Sequence, residues 1–93
     1  ELIRKKWVLL YREKGEIIAF LMYQIEGKKY YGYQIYNSGT ADITYNLERR
    51  AVEYAKEHYG VKSSYSWTEI GNLGANKRAG EIDGTFDYIF VKR

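Results

Sequence analysis

The sequence contains no cysteine, no proline and only one histidine. Without cysteine the chain has no disulfide, no thiolate metal ligand and no cysteine nucleophile. A single histidine does not make a typical multi-histidine zinc site, and no serine lies in a recognisable nucleophile elbow. We therefore expect neither a bound metal nor a Ser-His-Asp triad. His58 lies near the end of a predicted helix, where a cation complements the helix dipole, and this position favours a surface role over catalysis.

Long apolar runs are also missing. No stretch of the sequence approaches the roughly 20 residues of a membrane-spanning helix, and the first residues do not resemble a signal peptide. These absences predict a soluble, cytoplasmic protein with no membrane partner. The chain starts at Glu1 rather than at methionine. We therefore expect residues 1–93 to form a single domain that could be the C-terminal part of a larger protein.

The residues that are present describe a small folded domain. With 45% hydrophobic residues in 93, the chain can bury a core. Eleven tyrosines against three phenylalanines mean that many aromatic rings carry a hydroxyl group that needs a partner, so several should lie at rims or grooves. The net charge of +3 comes from 15 basic residues interleaved with 12 acidic ones, which permits an anionic partner without requiring one.

Three strands are predicted before the first helix. They cover Trp7–Tyr11, Glu16–Ile25 and Lys29–Tyr36, and Gly15 occupies the turn after the first strand. The second strand is apolar at both odd and even positions, so it is predicted at the centre of the sheet with both faces covered. Gly32, inside the third strand, indicates a bulge or a close backbone approach.

The longest element is an amphipathic helix. Apolar residues at i, i+4 and i+8 spacing predict that it begins at Ala41 or Asp42 and ends at Tyr59, with one face packed on the sheet. Asp42 or Thr44 is the expected N-cap, and Gly60 occupies the C′ position that favours glycine.

The remaining segments complete the fold prediction. A fourth strand over Val61–Trp67, a short helix over Leu73–Ile82 and a fifth strand over Thr85–Lys92 give the order βββαβαβ. Because a strand-helix-strand unit normally returns parallel, the sheet should be mixed. The predicted fold class is α/β, in its mixed α+β form, with a central mixed sheet, one long packed helix and one short helix.

The turn from Asn37 to Ala41 is the best candidate for a binding function. Small residues between a strand end and a helix start let backbone N–H groups approach an anion, and the helix N-terminus adds its positive end. The alternative is a plain connection in which Ser38 and Thr40 act as local caps.

Three short sequence motifs, at this turn and after the long helix, resemble those of a known family. Tyr36–Ala41 supplies a glycine and a final alanine between a strand and a long helix. Two further motifs run from Gly60 to Asn72 and from Asn72 to Gly84. Together they are similar to the cofactor-binding portion of the GNAT N-acetyltransferases, with the loop pattern Gln/Arg-x-x-Gly-x-Gly/Ala and a later asparagine that contacts acetyl-CoA. The resemblance covers residues 16–93 and extends to divergent GNAT-fold aminoacyl and peptidyl transferases.

The sequence departs from the family pattern at several positions. Tyr36 replaces the expected Gln or Arg, and the helix before Gly60 is about one turn longer than in the family. Ala79 stands where many members have a tyrosine that protonates the departing thiolate. The N-terminal strand and two helices that form the acceptor side in the family are absent. The resemblance thus implies a divergent or truncated N-acetyltransferase.

The resemblance implies acetyl-CoA as co-substrate and an unidentified amine as acceptor. The strand edge from Tyr33 to Tyr36 would pair with the pantetheine arm, and a backbone N–H near Ile35 or Tyr36 would stabilise the oxyanion. No general base is assigned, and Glu69, at the end of the predicted fourth strand, is the carboxylate to test first. The alternative is that Glu69 is a solvated charge at the strand end. The cofactor-binding residues that the resemblance implies are Ile35, Tyr36, Ser38, Gly39, Thr40, Ala41 and Asn72.

Two other interpretations stay open. A three-stranded sheet followed by a helix is also found in small DNA-binding domains, and aromatic and basic residues of the first three strands would then form a nucleic-acid face. A scaffold or oligomerisation module is the other alternative, as a homodimer or paired with a missing N-terminal region. The nucleic-acid face would consist of Trp7, Tyr11, Arg12, Lys14, Lys28, Lys29, Tyr31 and Tyr33.

Overall fold

The computed structural model describes residues 4–65 and 80–91. These residues form a five-stranded sheet in the order β4-β3-β2-β1-β5 and one helix. The β3–β4 pair is parallel and the other three pairs are antiparallel, so the sheet is mixed and the predicted fold class is confirmed. The elements are β1 Arg4–Glu13, β2 Glu16–Glu26, β3 Lys29–Asn37, α1 Ala41–Tyr59, β4 Ser63–Tyr65 and β5 Thr85–Val91.

The hairpin between β1 and β2 forms where the sequence predicts it. Glu13 pairs with Glu16, which leaves Lys14 and Gly15 as a two-residue turn. Both turn residues have positive φ, 52° and 81° respectively, as a type I′ turn requires. Lys14 is the only non-glycine residue with positive φ among those described, so the turn carries a small backbone strain that Gly15 limits.

The core lies between α1 and one face of the sheet. Leu9 of β1, Leu21 of β2 and Leu47 of α1 have no exposed surface, and burying each contributes about 1.5–3 kcal/mol. Trp7 extends this core, with its ring 5.1 Å from that of Tyr54 and 5.2 Å from that of Phe90. The predicted central position of β2 is confirmed by the strand order.

The opposite face of the sheet is covered less than its sequence predicts. Phe20 and Met22 on this face are only partly buried, and α1, the one helix described, packs on the other side. In a regular strand Ile17 would lie on the same face as Ala19, which is fully buried. A register shift places Ile17 opposite Arg12 instead, and its side chain is 49% exposed. The bulge breaks the period-2 pattern, which is why parity alone misplaces Ile17.

Helix α1 begins and ends where the sequence predicts, at Ala41 and Tyr59, but its N-cap residue differs from the prediction. Its N-cap is Thr40, which makes no side-chain capping hydrogen bond, so the expected caps Asp42 and Thr44 are wrong. Gly60 has φ 62°, and its N–H donates to the carbonyl of Lys56 at 3.1 Å, so the predicted C-terminal glycine is confirmed. No helix in the described part of the chain is both long enough and apolar enough to cross a lipid bilayer.

The C-terminal predictions are met in part. The fourth strand begins at Ser63, two residues later than predicted, and is described to Tyr65, while residues 66 and 67 lie outside the described ranges. The same holds for residues 73–79 of the predicted short helix. Residues 80–82, its expected end, are not helical. The fifth strand covers Thr85–Val91, as predicted except for Lys92, which lies outside the described residues.

Candidate functional site

Four segments meet at one end of the sheet: the β1–β2 hairpin, the turn after β3, the start of α1 and residues 80–84. Ser38 joins the turn to β2, because its N–H and its hydroxyl both donate to the carbonyl of Ile18, at 3.0 and 2.8 Å. The N–H of Gly80 donates to Asp42 Oδ1 at 3.1 Å, and that of Gly84 donates to the Tyr11 hydroxyl at 3.0 Å. This end of the sheet contains the turn that the sequence indicates for anion binding.

Asn37 organises the turn. Its Oδ1 accepts the N–H of Gly39 at 2.8 Å, which is a local side-chain turn of the kind asparagine favours. Its Nδ2 donates to the carbonyl of Thr40 at 2.7 Å and to the hydroxyl of Thr44 at 2.8 Å. One side chain therefore holds the turn and the first turn of α1 in a single geometry.

Two of the four backbone N–H groups predicted to bind pyrophosphate are already used within the protein. These are the amides of Ser38 and Gly39, which donate to Ile18 and Asn37. Within the described ranges, the amides of Thr40 and Ala41 have no acceptor, as is usual at a helix N-terminus. The geometry therefore narrows the predicted anion site to the Thr40–Ala41 end of the turn.

Strand β3 leads directly into this turn and changes register on the way. Its described pairing with β4 covers Lys29–Tyr31. On its other side, Tyr23 pairs with Gly32 and Met22 with Gln34, so Tyr33 is an extra, bulged residue. The bulge predicted from Gly32 is confirmed, one position later.

The sequence-predicted site residues fall into two groups. Ile35 packs partly buried against the core, while Tyr36 is 52% exposed with its ring centroid 5.6 Å from that of Phe20. These two residues and the turn from Ser38 to Ala41 are contiguous at the same end of the sheet. Glu69 and Asn72 lie outside the described residues, so their predicted roles stay predictions.

A polar network next to the turn was not predicted from the sequence. Asn46 is 3% exposed, and its Nδ2 donates to the carbonyls of Asp42 and Gly80 at 2.8 and 3.0 Å. Arg49 in turn donates to Asn46 Oδ1 at 3.0 Å. The network holds residue 80 against the first turn of α1. An asparagine on the apolar side of the helix was the one available signal for it.

An open cleft of about 770 Å³ lies beside the same hairpin. Its charged residues have both signs, and Arg12 is already paired with Asp87 at 3.0 Å, so the cleft does not form a strongly basic or acidic pocket. The lining residues are Arg12, Glu13, Lys14, Gly15, Glu16, Ile18, Asp83, Gly84 and Thr85.

Glu48 is a second residue that the sequence did not mark. It is 3% exposed, and among the described residues its Oε2 has no hydrogen-bond partner. Burial raises the pKa of this carboxyl to about 7, because the charged form loses its hydration. The hydroxyl of Tyr30 is also buried without a partner among those residues, and its pKa is raised by burial and by the Glu48 charge. In the sequence, Glu48 looked like one of several surface charges.

The proposed nucleic-acid face does not form as predicted. Trp7 and Tyr11 are 8% and 0% exposed and belong to the core beneath α1. Lys28 lies near the C-terminal end of α1, and its Nζ donates to the carbonyl of Tyr59 at 3.3 Å. Two aromatic residues of the predicted face, Trp7 and Tyr11, are therefore not accessible to a nucleic acid.

No family model, curated protein or solved structure matches the chain. The resemblance to GNAT acetyltransferases thus remains a prediction from the short motifs around the turn.

The role of Asn37 leads to a first testable prediction. Asn37→Ala removes three hydrogen bonds that order the turn, and we expect it to lower the free energy of unfolding by about 2 kcal/mol. Ser38→Ala is the matched control, because the Ser38 N–H still donates to Ile18 after its hydroxyl is lost. Urea unfolding should show the larger loss for Asn37→Ala, and equal losses would contradict the organising role of Asn37.

Proposed function

We propose that the chain is the acyl-CoA-binding part of an N-acyltransferase, which transfers an acetyl group from acetyl-CoA to an amine. The observation that supports this function is the succession of a bulged strand, a tight turn and a helix start. The amides of Thr40 and Ala41 at that start have no acceptor among residues 4–65 and 80–91. Such a succession suits a ligand with an extended amide-containing arm and a diphosphate at one end.

The proposed binding mode uses backbone groups. The pantetheine arm pairs with the β3 edge between Tyr33 and Tyr36, and the diphosphate accepts hydrogen bonds from the amides of Thr40 and Ala41. The helix dipole of α1 adds favourable electrostatic energy at the same point. The first turn of α1 also carries Asp42, whose Oδ1 accepts the N–H of Gly80. That bond offsets part of the repulsion between its carboxylate and a diphosphate.

The chemistry needs mainly positioning. The amine nitrogen attacks the thioester carbon, the carbonyl oxygen gains negative charge, and the carbon–sulfur bond then breaks to release the CoA thiolate. A backbone N–H near Ile35 or Tyr36 stabilises the oxyanion. The proton lost by the amine leaves to solvent or to a neighbouring base.

Ala41→Pro provides a sharp test of the anion site. Ala41 is the first residue of α1, its side chain is exposed, and Thr40 before it has φ −82° and ψ 164°, which a following proline accepts. The substitution therefore removes one N–H donor without opposing the helix. We expect acetyl-CoA to raise the melting temperature of the native chain, and Ala41→Pro to weaken binding by about 10- to 100-fold.

Ala41→Ser is the matched control, because it keeps the backbone N–H. Calorimetric titration with acetyl-CoA should give similar affinities for the native chain and Ala41→Ser. No binding at millimolar acetyl-CoA would overturn the proposed function. If Ala41→Pro binds acetyl-CoA as tightly as the native chain, the amides of Thr40 and Ala41 are not the anion site. That result would not exclude a different mode of CoA binding.

A further inference from the structure

We propose that two copies of the chain associate edge to edge through β5, forming one continuous sheet across a two-fold axis. This inference does not depend on acetyl-CoA binding.

The first observation is the position of β5. It is the outermost strand beside β1, and in the described parts of the chain no strand pairs with its other edge. An edge strand presents a row of N–H and C=O groups that only another extended chain satisfies in register. The opposite edge of the sheet is divided between β4, with three residues, and the outer side of β3 beyond Tyr31. Strand β5, in contrast, forms one continuous edge of seven residues and pairs with β1 along its full length. Among the described residues, β5 is therefore the longest edge formed by a single strand.

The second observation is the side-chain composition of this edge. Three consecutive apolar residues, Ile89, Phe90 and Val91, are 42%, 42% and 38% exposed. Soluble proteins usually protect such strands with lysine or proline, and β5 contains neither. Its one charged residue, Asp87, is paired with Arg12 at 3.0 Å.

These features select a second copy as the occupant. In an antiparallel pair about a two-fold axis perpendicular to the sheet, opposing residues lie on the same face, so odd-numbered positions meet odd-numbered positions. A register centred on Tyr88 places Phe86 opposite Phe90, and one centred on Ile89 places Tyr88 opposite Phe90. In both registers Asp87 lies opposite an aliphatic residue, and the two Asp87 carboxylates stay apart. The strand can thus pair with a second copy of itself with aromatic residues opposite each other and no like charges directly opposed. A strongly charged partner strand would find no counter-charge here.

The test is the mass of the chain as a function of concentration, measured by sedimentation equilibrium. We expect a reversible monomer–dimer equilibrium in the micromolar range, since a single-strand contact is a small interface. Ile89→Lys adds a positive charge on each side of the two-fold axis and should raise the dissociation constant by about tenfold or more. Ile17→Lys is the matched control, because Ile17 is also an exposed isoleucine, at 49%, but lies on β2.

A second measurement identifies the surface independently of any variant. Amide hydrogen exchange of the native chain at low and high concentration should show added protection confined to β5, because its outer N–H groups acquire acceptors in the dimer. A monomer at millimolar concentration overturns the proposal. So does a dimer that Ile89→Lys and Ile17→Lys weaken equally, or added protection located on another element.

Discussion

Replacing Glu48 by glutamine should stabilise the protein at pH 8 while leaving its stability near pH 4 almost unchanged. At pH 8 the native carboxyl is buried and charged, with no hydrogen-bond partner for Oε2 among the described residues. Glutamine has nearly the same shape and no charge, so it avoids this desolvation cost. We expect a difference on the order of 2 kcal/mol between the effects of the substitution at the two pH values.

The sign follows from the two pKa values of Glu48. In the unfolded chain the carboxyl has its ordinary pKa of 4.5, and burial raises the folded value to about 7. Below pH 4.5 the group is protonated in both states and lowers stability little. Between these values the folded state holds a proton that the unfolded state releases, so the free energy of unfolding falls as pH rises. Above pH 7 the free energy of unfolding has lost the whole contribution of this pKa difference.

Urea unfolding from pH 4 to pH 8 measures this difference. Glu57→Gln is the control, because it removes an exposed carboxyl from the same helix. The gain of Glu48→Gln over wild type should grow between pH 4.5 and 7, while that of Glu57→Gln should not. A parallel pH dependence for Glu48→Gln and wild type would show that Glu48 titrates with an ordinary pKa.

Gly84→Ala should have the second large effect, a loss of about 3 kcal/mol in the free energy of unfolding. A Cβ atom at this position would overlap the backbone carbonyl of Arg12 and the ring of Tyr11. The Arg12 carbonyl belongs to a strand paired on both sides, and Tyr11 is fully buried, so neither group can move aside cheaply. The Gly84 N–H also donates to the Tyr11 hydroxyl, and displacement of the backbone would break this bond.

Two other glycines serve as controls for different mechanisms. At Gly39 a Cβ would lie 2.5 Å from Ile43 Cδ1, which is the far end of a flexible side chain. Gly39→Ala should therefore lower the free energy of unfolding by only about 1 kcal/mol. Adding Ile43→Val, which removes the Cδ1 atom, should relieve part of this clash. At Gly15 nothing lies within 4 Å, but φ is +81°, so Gly15→Ala should cost about 1–2 kcal/mol through backbone strain alone. Chemical denaturation of the three variants should give Gly84→Ala a much lower free energy of unfolding than Gly39→Ala or Gly15→Ala. Equal losses would argue against close packing at Gly84.

Local sequence patterns predicted the described elements well because each pattern depends on neighbouring residues. The Lys14-Gly15 turn, the 19-residue helix and Gly60 at its end follow from turn chemistry, a 3.6-residue period and the left-handed preference of glycine. The errors occurred where two strands adjust to each other. The bulge opposite Arg12 moved Ile17 off the buried row, and only the partner strand determines where such a bulge forms.

The candidate site was predicted in part for the same reason. The turn after β3 could be located from its small residues, but the partners of its amides could not. Ser38 donates to Ile18, 20 positions earlier in the chain, and this bond occupies one of the amides expected to bind phosphate. The hydrogen bond of Asn46 to the carbonyl of Gly80 likewise depends on a contact across 34 positions.

The sequence by itself determined the order of the elements that the structure describes, the long helix and its terminal glycine, and the absence of thiol chemistry. These features depend on residue types and on contacts within a few positions of each other. Only the tertiary structure decided which tyrosines are buried, which carboxyl loses its water, which strand is left at the edge and why Gly84 must be glycine. The physical reason is that burial and steric exclusion depend on residues brought together by folding, such as Tyr11 and Gly84, which are 73 positions apart.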